Sequence, residues 1–171
     1  NITHWSREAA VFVAKRGGVE FFNQVIGLTE ACVFDQMNAC ESLAMLGVNG
    51  QHTVRKEMLK TSLPIVVKSI FRHMDGEQGA HFVEKGIYVI QSIATSPGRC
   101  GTALNVGRVM LDVVERGCET PADVLFLCME KFKDDTRVMS NCLDALRNFM
   151  QDDGDFCKDV MGQDGIEKVL G

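Results

Sequence analysis

The chain predicts an all-α fold built from stacked helical repeats. Three observations carry this. Apolar segments of one shape recur at Val19, Leu63, Val109 and Ile166, spaced by 44, 46 and 57 residues. A second set of landmarks, the helix ends Leu46, Ile93 and Phe149, precedes the next segment by 17, 16 and 17 residues. Periods of this length belong to stacked helical units, and a near-constant offset between two landmarks is the signature of one. Finally, proline occurs only three times, and the Val/Ile runs are short and set in helical spacing.

Each element follows in order. Residues 6–16 predict a short helix with Ala9, Ala10, Phe12 and Val13 inward, stopped by Gly17-Gly18. Residues 19–28 predict a second, with Phe21, Phe22, Val25 and Ile26 as its apolar face. The third runs from Val33 to Gly47 on the stripe Met37, Cys40, Leu43, Ala44 and Leu46, closed by Gly47 and Gly50. The unit then repeats. Residues 52–60 predict a short amphipathic helix, and Ser62-Leu63-Pro64 starts the next, with Ser62 as cap and proline in the first turn. After the Asp75-Gly76 turn, residues 79–95 form a long helix with Phe82, Val83, Gly86, Ile87, Ile90 and Ile93 inward. Ser96-Pro97-Gly98 ends it.

The third unit opens around Cys100–Leu104 and predicts a helix through Val109, Met110, Val113 and Val114, stopped by Gly117. Thr120-Pro121-Ala122-Asp123 is a helix start, with threonine as cap, proline first and aspartate in the first turn. Val124, Leu125, Leu127, Cys128 and Phe132 follow. A long helix after Asp135 carries Met139, Cys142, Leu143, Leu146, Phe149 and Met150. A fourth unit begins with Phe156, Val160 and Met161. The organisation expected is one domain with units over about 6–49, 51–95, 98–150 and a truncated 154–171. The chain opens on Asn1 and stops inside a repeat segment, so it reads as a piece of a longer protein. Truncated repeats expose apolar faces, which neighbouring repeats or self-association would cover.

Composition narrows the class of activity. With 46% hydrophobic and 24% charged residues the chain can bury a core and stay soluble. No run of about 18 apolar residues suggests a membrane span. The seven cysteines form no C-x-x-C pair, and Cys40, Cys128 and Cys142 fall on apolar stripes. That argues for a reducing compartment, cytoplasm or nucleus. The net charge of −5 disfavours nucleic acid. It is unevenly spread: residues 51–74 hold five cations against Glu57, net +4, and residues 151–171 hold six acids against two lysines, net −4. His4, His52, His73 and His81 form no metal motif, and neither GxSxG nor GxxxxGK[ST] occurs. Gly98-Arg99-Cys100-Gly101-Thr102 has no strand before it and no lysine after it, so it reads as a turn between helices. No catalytic residue, cofactor or metal is expected.

The order of short, medium and long helix resembles the armadillo repeat family. The likeness rests on Gly18-Val19…Ala39-x3-Leu43-x2-Leu46, echoed by Gly86-x3-Ile90-x2-Ile93 and Cys142-x3-Leu146-x2-Phe149. It covers nearly the whole chain. The HEAT repeat, with two helices per unit, is the nearest alternative. The resemblance implies a right-handed α-solenoid whose third helices line a concave, peptide-binding face. Karyopherin-type members carry tryptophan and asparagine four residues apart there. This chain places Glu41, Tyr88 and Asp144 at the tryptophan position, and Met45, Ser92 and Asn148 at the asparagine position. One turn earlier sit Asn38, Lys85 and Asn141. Each trio spans i, i+3 and i+7, one face of a helix.

These nine residues are the expected partner contacts of a scaffold or adaptor module that binds a protein or peptide. A regulatory domain that docks on an attached enzyme or senses a small molecule is the alternative. The longer spacing around Glu115–Lys133 reads either as a filler linker or as a functional insertion.

Overall fold

The structure, a computed structural model, describes residues 6–95, 104–111 and 116–161. It is all-helical among them. Eight helices run in order: α1 (Arg7–Lys15), α2 (Gly18–Gly27), α3 (Val33–Asn49), α4 (His52–His73), α5 (Gly79–Ala94), α6 (Pro121–Lys131), α7 (Thr136–Asp152) and α8 (Gly154–Met161), with a 3₁₀ turn at Val106–Arg108 before α6.

Local chemistry explains most boundaries. The Ser6 hydroxyl accepts from the Ala9 N–H at 3.2 Å and starts α1. Gly17 takes φ +82, the left-handed region that glycine tolerates, and turns the chain straight into α2. Thr120 and Asp123 form a reciprocal capping box at α6, with Pro121 in the first turn. The Asp135 carboxylate accepts from the N–H groups of Arg137 and Val138 to start α7.

The long helices pack side by side in chain order. α3 lies along α5 and α5 along α7, while α2 packs on α4 and α6 on α7. The core between them is aliphatic, with Ile26, Leu43, Leu46, Ile70, Phe82, Ile87, Ile90 and Leu125 fully buried. Polar side chains stitch it across long sequence distances. Gln36 donates to the Leu28 carbonyl at 2.6 Å and lies 2.8 Å from His73 Nε2, which ties the α2–α3 turn to the end of α4. The Ser69 hydroxyl donates to the Ile26 carbonyl at 3.1 Å. Asp75, in the α4–α5 turn, is gripped by Lys131 at 2.6 Å and by Arg116.

Several expectations are corrected. Residues 52–73 are one helix, not two, and Ser62 is buried inside it with no hydrogen-bond partner for its hydroxyl. Pro64 removes one backbone hydrogen bond, to the Lys60 carbonyl. An unbroken buried line outweighs that loss: Val54, Met58, Ser62, Val66, Ile70 and Met74 are all buried. The second unit therefore holds two helices rather than three. Gly47 does not close α3 but lies within it, and Gly50 caps the end. Arg55 is buried and reaches the carbonyls of Gly47 and Gly50 at 3.5 Å, a cation on the negative end of α3. It is thus no part of the exposed basic surface.

No helix opens at Val109, which is extended at φ −66, ψ 122, and the Leu111 N–H pairs with the Glu119 carbonyl at 2.8 Å. Ala9, Phe12, Phe21 and Leu143 are exposed rather than inward. From Thr120 onward the Glu115–Lys133 segment is no linker: α6 buries Ala122, Val124, Leu125, Cys128 and Met129. Residues 1–5, 96–103, 112–115 and 162–171, and with them Cys100, Val113, Val114 and Ile166, lie outside the described residues.

Candidate interaction face

The outward sides of α3, α5 and α7 form one face. Extending each expected trio by one step either way gives three five-residue stripes. On α3 these are Phe34, Asn38, Glu41, Met45 and Val48; on α5, His81, Lys85, Tyr88, Ser92 and Thr95; on α7, Arg137, Asn141, Asp144, Asn148 and Gln151. Steps of four and three residues keep each stripe on one side of its helix. All are exposed or half-buried except Ser92.

Side-chain contacts join the stripes across the helices. Lys85 Nζ lies 3.7 Å from Glu41 on α3 and 3.6 Å from Glu84 on its own helix. Arg137 on α7 reaches Glu84 at 3.6 Å, His81 at 3.4 Å and Asp135 at 3.8 Å. At the other end, Asn148 Nδ2 donates to the Thr95 hydroxyl at 3.5 Å. Asp144 pairs with Arg147 at 3.1 Å. Charge on this face is therefore compensated internally. Glu84 is the most enclosed of its charged side chains, 17% exposed, with one carboxylate oxygen that accepts no hydrogen bond.

Apolar surface lies beside these charges. Phe34 is 55% exposed and Val48 is exposed too, with Met45 half-buried between them. Tyr88 is half-buried; burial first, and the Glu41 carboxylate second, hold its phenol above the ordinary tyrosine range. It stays a neutral hydroxyl at physiological pH, able to donate and accept.

Of the nine expected contact residues, Asn38, Glu41, Met45, Lys85, Tyr88, Asn141, Asp144 and Asn148 have accessible surface on this face. Ser92 does not. It is fully buried, and its hydroxyl donates to the Val89 carbonyl at 2.7 Å. The cause is Gly47: a Cβ there would lie 2.8 Å from the Ser92 Cβ, so α3 and α5 close over this position. Phe34, Val48, His81, Glu84, Thr95, Arg137 and Gln151 were not expected. Six of them were reachable by continuing the 4–3 spacing one step, and Glu84 by its place beside Lys85.

Among the described residues no group of three or more His, Cys, Asp or Glu is arranged to hold a metal, and no helix is long and apolar enough to cross a membrane. Burial pushes the thiols of Cys40 and Cys128 up to about 12 and that of Cys142 higher still, so they stay protonated and unreactive. Set against known proteins, the chain matches no family model, no curated protein and no solved structure.

Proposed function

We propose that the chain is a protein-interaction module, a stacked helical repeat that receives a peptide or helix along the outward face of α3, α5 and α7. The observation that carries the reading is the alignment of three long helices in chain order, with equivalent face positions offset by 47 and then 56 residues, as at Phe34, His81 and Arg137. A repeat arranged this way yields a surface rather than a catalytic cleft.

The chemistry of the face selects the partner. Its charges are already paired, so a partner gains little by adding charge. Phe34, Met45, Val48 and Tyr88 offer apolar contact at one side. The Asn38, Asn141 and Asn148 amides offer donors and acceptors to a peptide backbone. The partner is accordingly an uncharged or weakly charged segment with apolar anchors.

Selection of binders from a random peptide library tests this. Binders enriched in apolar residues are expected. They should lose about tenfold in affinity, some 1.4 kcal/mol, on a folded Glu41→Lys, Tyr88→Ala, Asp144→Lys variant. Unchanged binding by that variant would refute the proposed face.

A further inference from the structure

Helix α4 carries a second surface that shares no residue with the face above. Its buried line recurs every four residues, at Val54, Met58, Ser62, Val66, Ile70 and Met74. Two positions further on, about 200° round the helix, lies a parallel ridge at 56, 60, 64, 68 and 72. Both lines wind by about 40° at each four-residue step, so the ridge stays opposite the buried line while it turns about 160° round α4 from Lys56 to Arg72. Four of its five positions are cations, Lys56, Lys60, Lys68 and Arg72, and all four are exposed.

None of these four makes an ion pair or hydrogen bond among the described residues. Of the cations elsewhere, Lys85, Arg108, Lys131, Arg137 and Arg147 each have a carboxylate within reach, whereas Lys15 and Lys133 stand singly on the surface among the described residues. Arg55 sits on the carbonyls of Gly47 and Gly50, and Glu57 is the one acid on α4. An unpaired row of positive charge in a chain of net charge −5 is a complementarity waiting for an anion. The row is about 24 Å long, at 1.5 Å per residue, with about 6 Å between Lys56 and Lys60 and between Lys68 and Arg72.

Within the Lys56–Lys60 pair and within the Lys68–Arg72 pair, that step matches carboxylates four residues apart on a facing helix, about 6 Å, or two apart on an extended strand that wraps the ridge, about 6.8 Å. Other polyanions fit less well. The ridge has no aromatic side chain on which a base would stack. The apolar side of α4 is committed to the core, so nothing on it is left to enter a bilayer. We infer that the outward ridge of α4 binds an acidic segment of a protein through Lys56, Lys60, Lys68 and Arg72.

Fluorescence anisotropy tests the inference with a labelled helical peptide that carries glutamate at every fourth position. The protein should bind it saturably, and added salt should weaken binding, as exposed charge pairs require. The Lys60→Glu, Lys68→Glu variant should bind about tenfold more weakly. A Lys60→Gln, Lys68→Gln variant, which removes charge without reversing it, should fall between. Lys133→Glu, an exposed lysine outside the ridge, should bind as the parent does. Absence of saturable binding, an equal loss in the Lys133 variant, or tighter binding of oligo-dT or of phosphatidylserine vesicles than of the peptide would each overturn it.

Discussion

Gly47→Ala probes the close approach of α3 and α5 on which the shared face depends. At an open helix position the change would stabilise by up to about 1 kcal/mol, because alanine is the better helix former. Here the new Cβ would stand 2.8 Å from the Ser92 Cβ, with the Ser92 hydroxyl closer still and Met58 Cε at 3.2 Å. Ordinary contact begins at 3.4 Å, so the helices must part by 0.6 Å or more. Met58 can swing aside; the Ser92 Cβ is fixed to the α5 backbone. Overpacking of this kind costs about 1–3 kcal/mol. Set against a propensity gain of about 1 kcal/mol, the net is a loss of up to about 2 kcal/mol. Urea unfolding followed by circular dichroism would show a lower midpoint at unchanged slope. Ser92→Gly removes the opposing atoms, so the double variant should recover about 1 kcal/mol relative to additivity. A Gly47→Ala protein more stable than the parent, or one that shows no coupling to Ser92, would refute the close approach.

Three further outcomes are expected. Thr120→Ala breaks the capping box of α6 and should cost about 1 kcal/mol, read as a lower urea midpoint; no change would mean that the box does not hold the helix start. Asp75, held down to about 2 by its hydrogen bonds to Arg116 and Lys131, lies below its ordinary 3.8. A depressed carboxyl stabilises the fold above the unfolded value, and that contribution is lost as pH falls from about 4 toward 2. The gap in melting temperature between the parent and Asp75→Asn should therefore be present at pH 7 and shrink through that window; a constant gap would contradict the clamp. Finally, a thiol reagent at mildly alkaline pH should label exposed Cys32 in the folded protein and reach Cys40, Cys128 and Cys142 only on unfolding, as peptide mass mapping would show.

What was legible in the sequence was what local chemistry decides. Thr120-Pro121-Ala122-Asp123 announces α6 because cap, first turn and carboxylate all lie within four residues. Gly17 announces a turn because its conformation is its own. The stripe of α5, from Phe82 to Ile93, is buried as its spacing predicts. What was not legible depends on distant partners. Pro64 reads locally as a helix start, yet burial at every fourth position along α4 carries the helix through it. Ser92 reads as a surface residue, and only Gly47, 45 positions earlier, encloses it. Gln36 looks like a solvent-facing residue, and its burial is made tolerable by the Leu28 carbonyl and by His73, 37 positions on. Phe34 reads as core by type, but its angular position puts it outward with Asn38 and Glu41.

Methionine methyl resonances test the proposed face most directly, since the nine methionines are spread through the chain. Met45 lies on the face, Met58 and Met74 are buried under α4, and Met110 is exposed elsewhere. Titration with a peptide selected on the protein should shift the Met45 methyl and leave Met58, Met74 and Met110 in place. A Met45 signal that stays still while Met110 moves would put the partner elsewhere and contradict the proposed role of α3, α5 and α7.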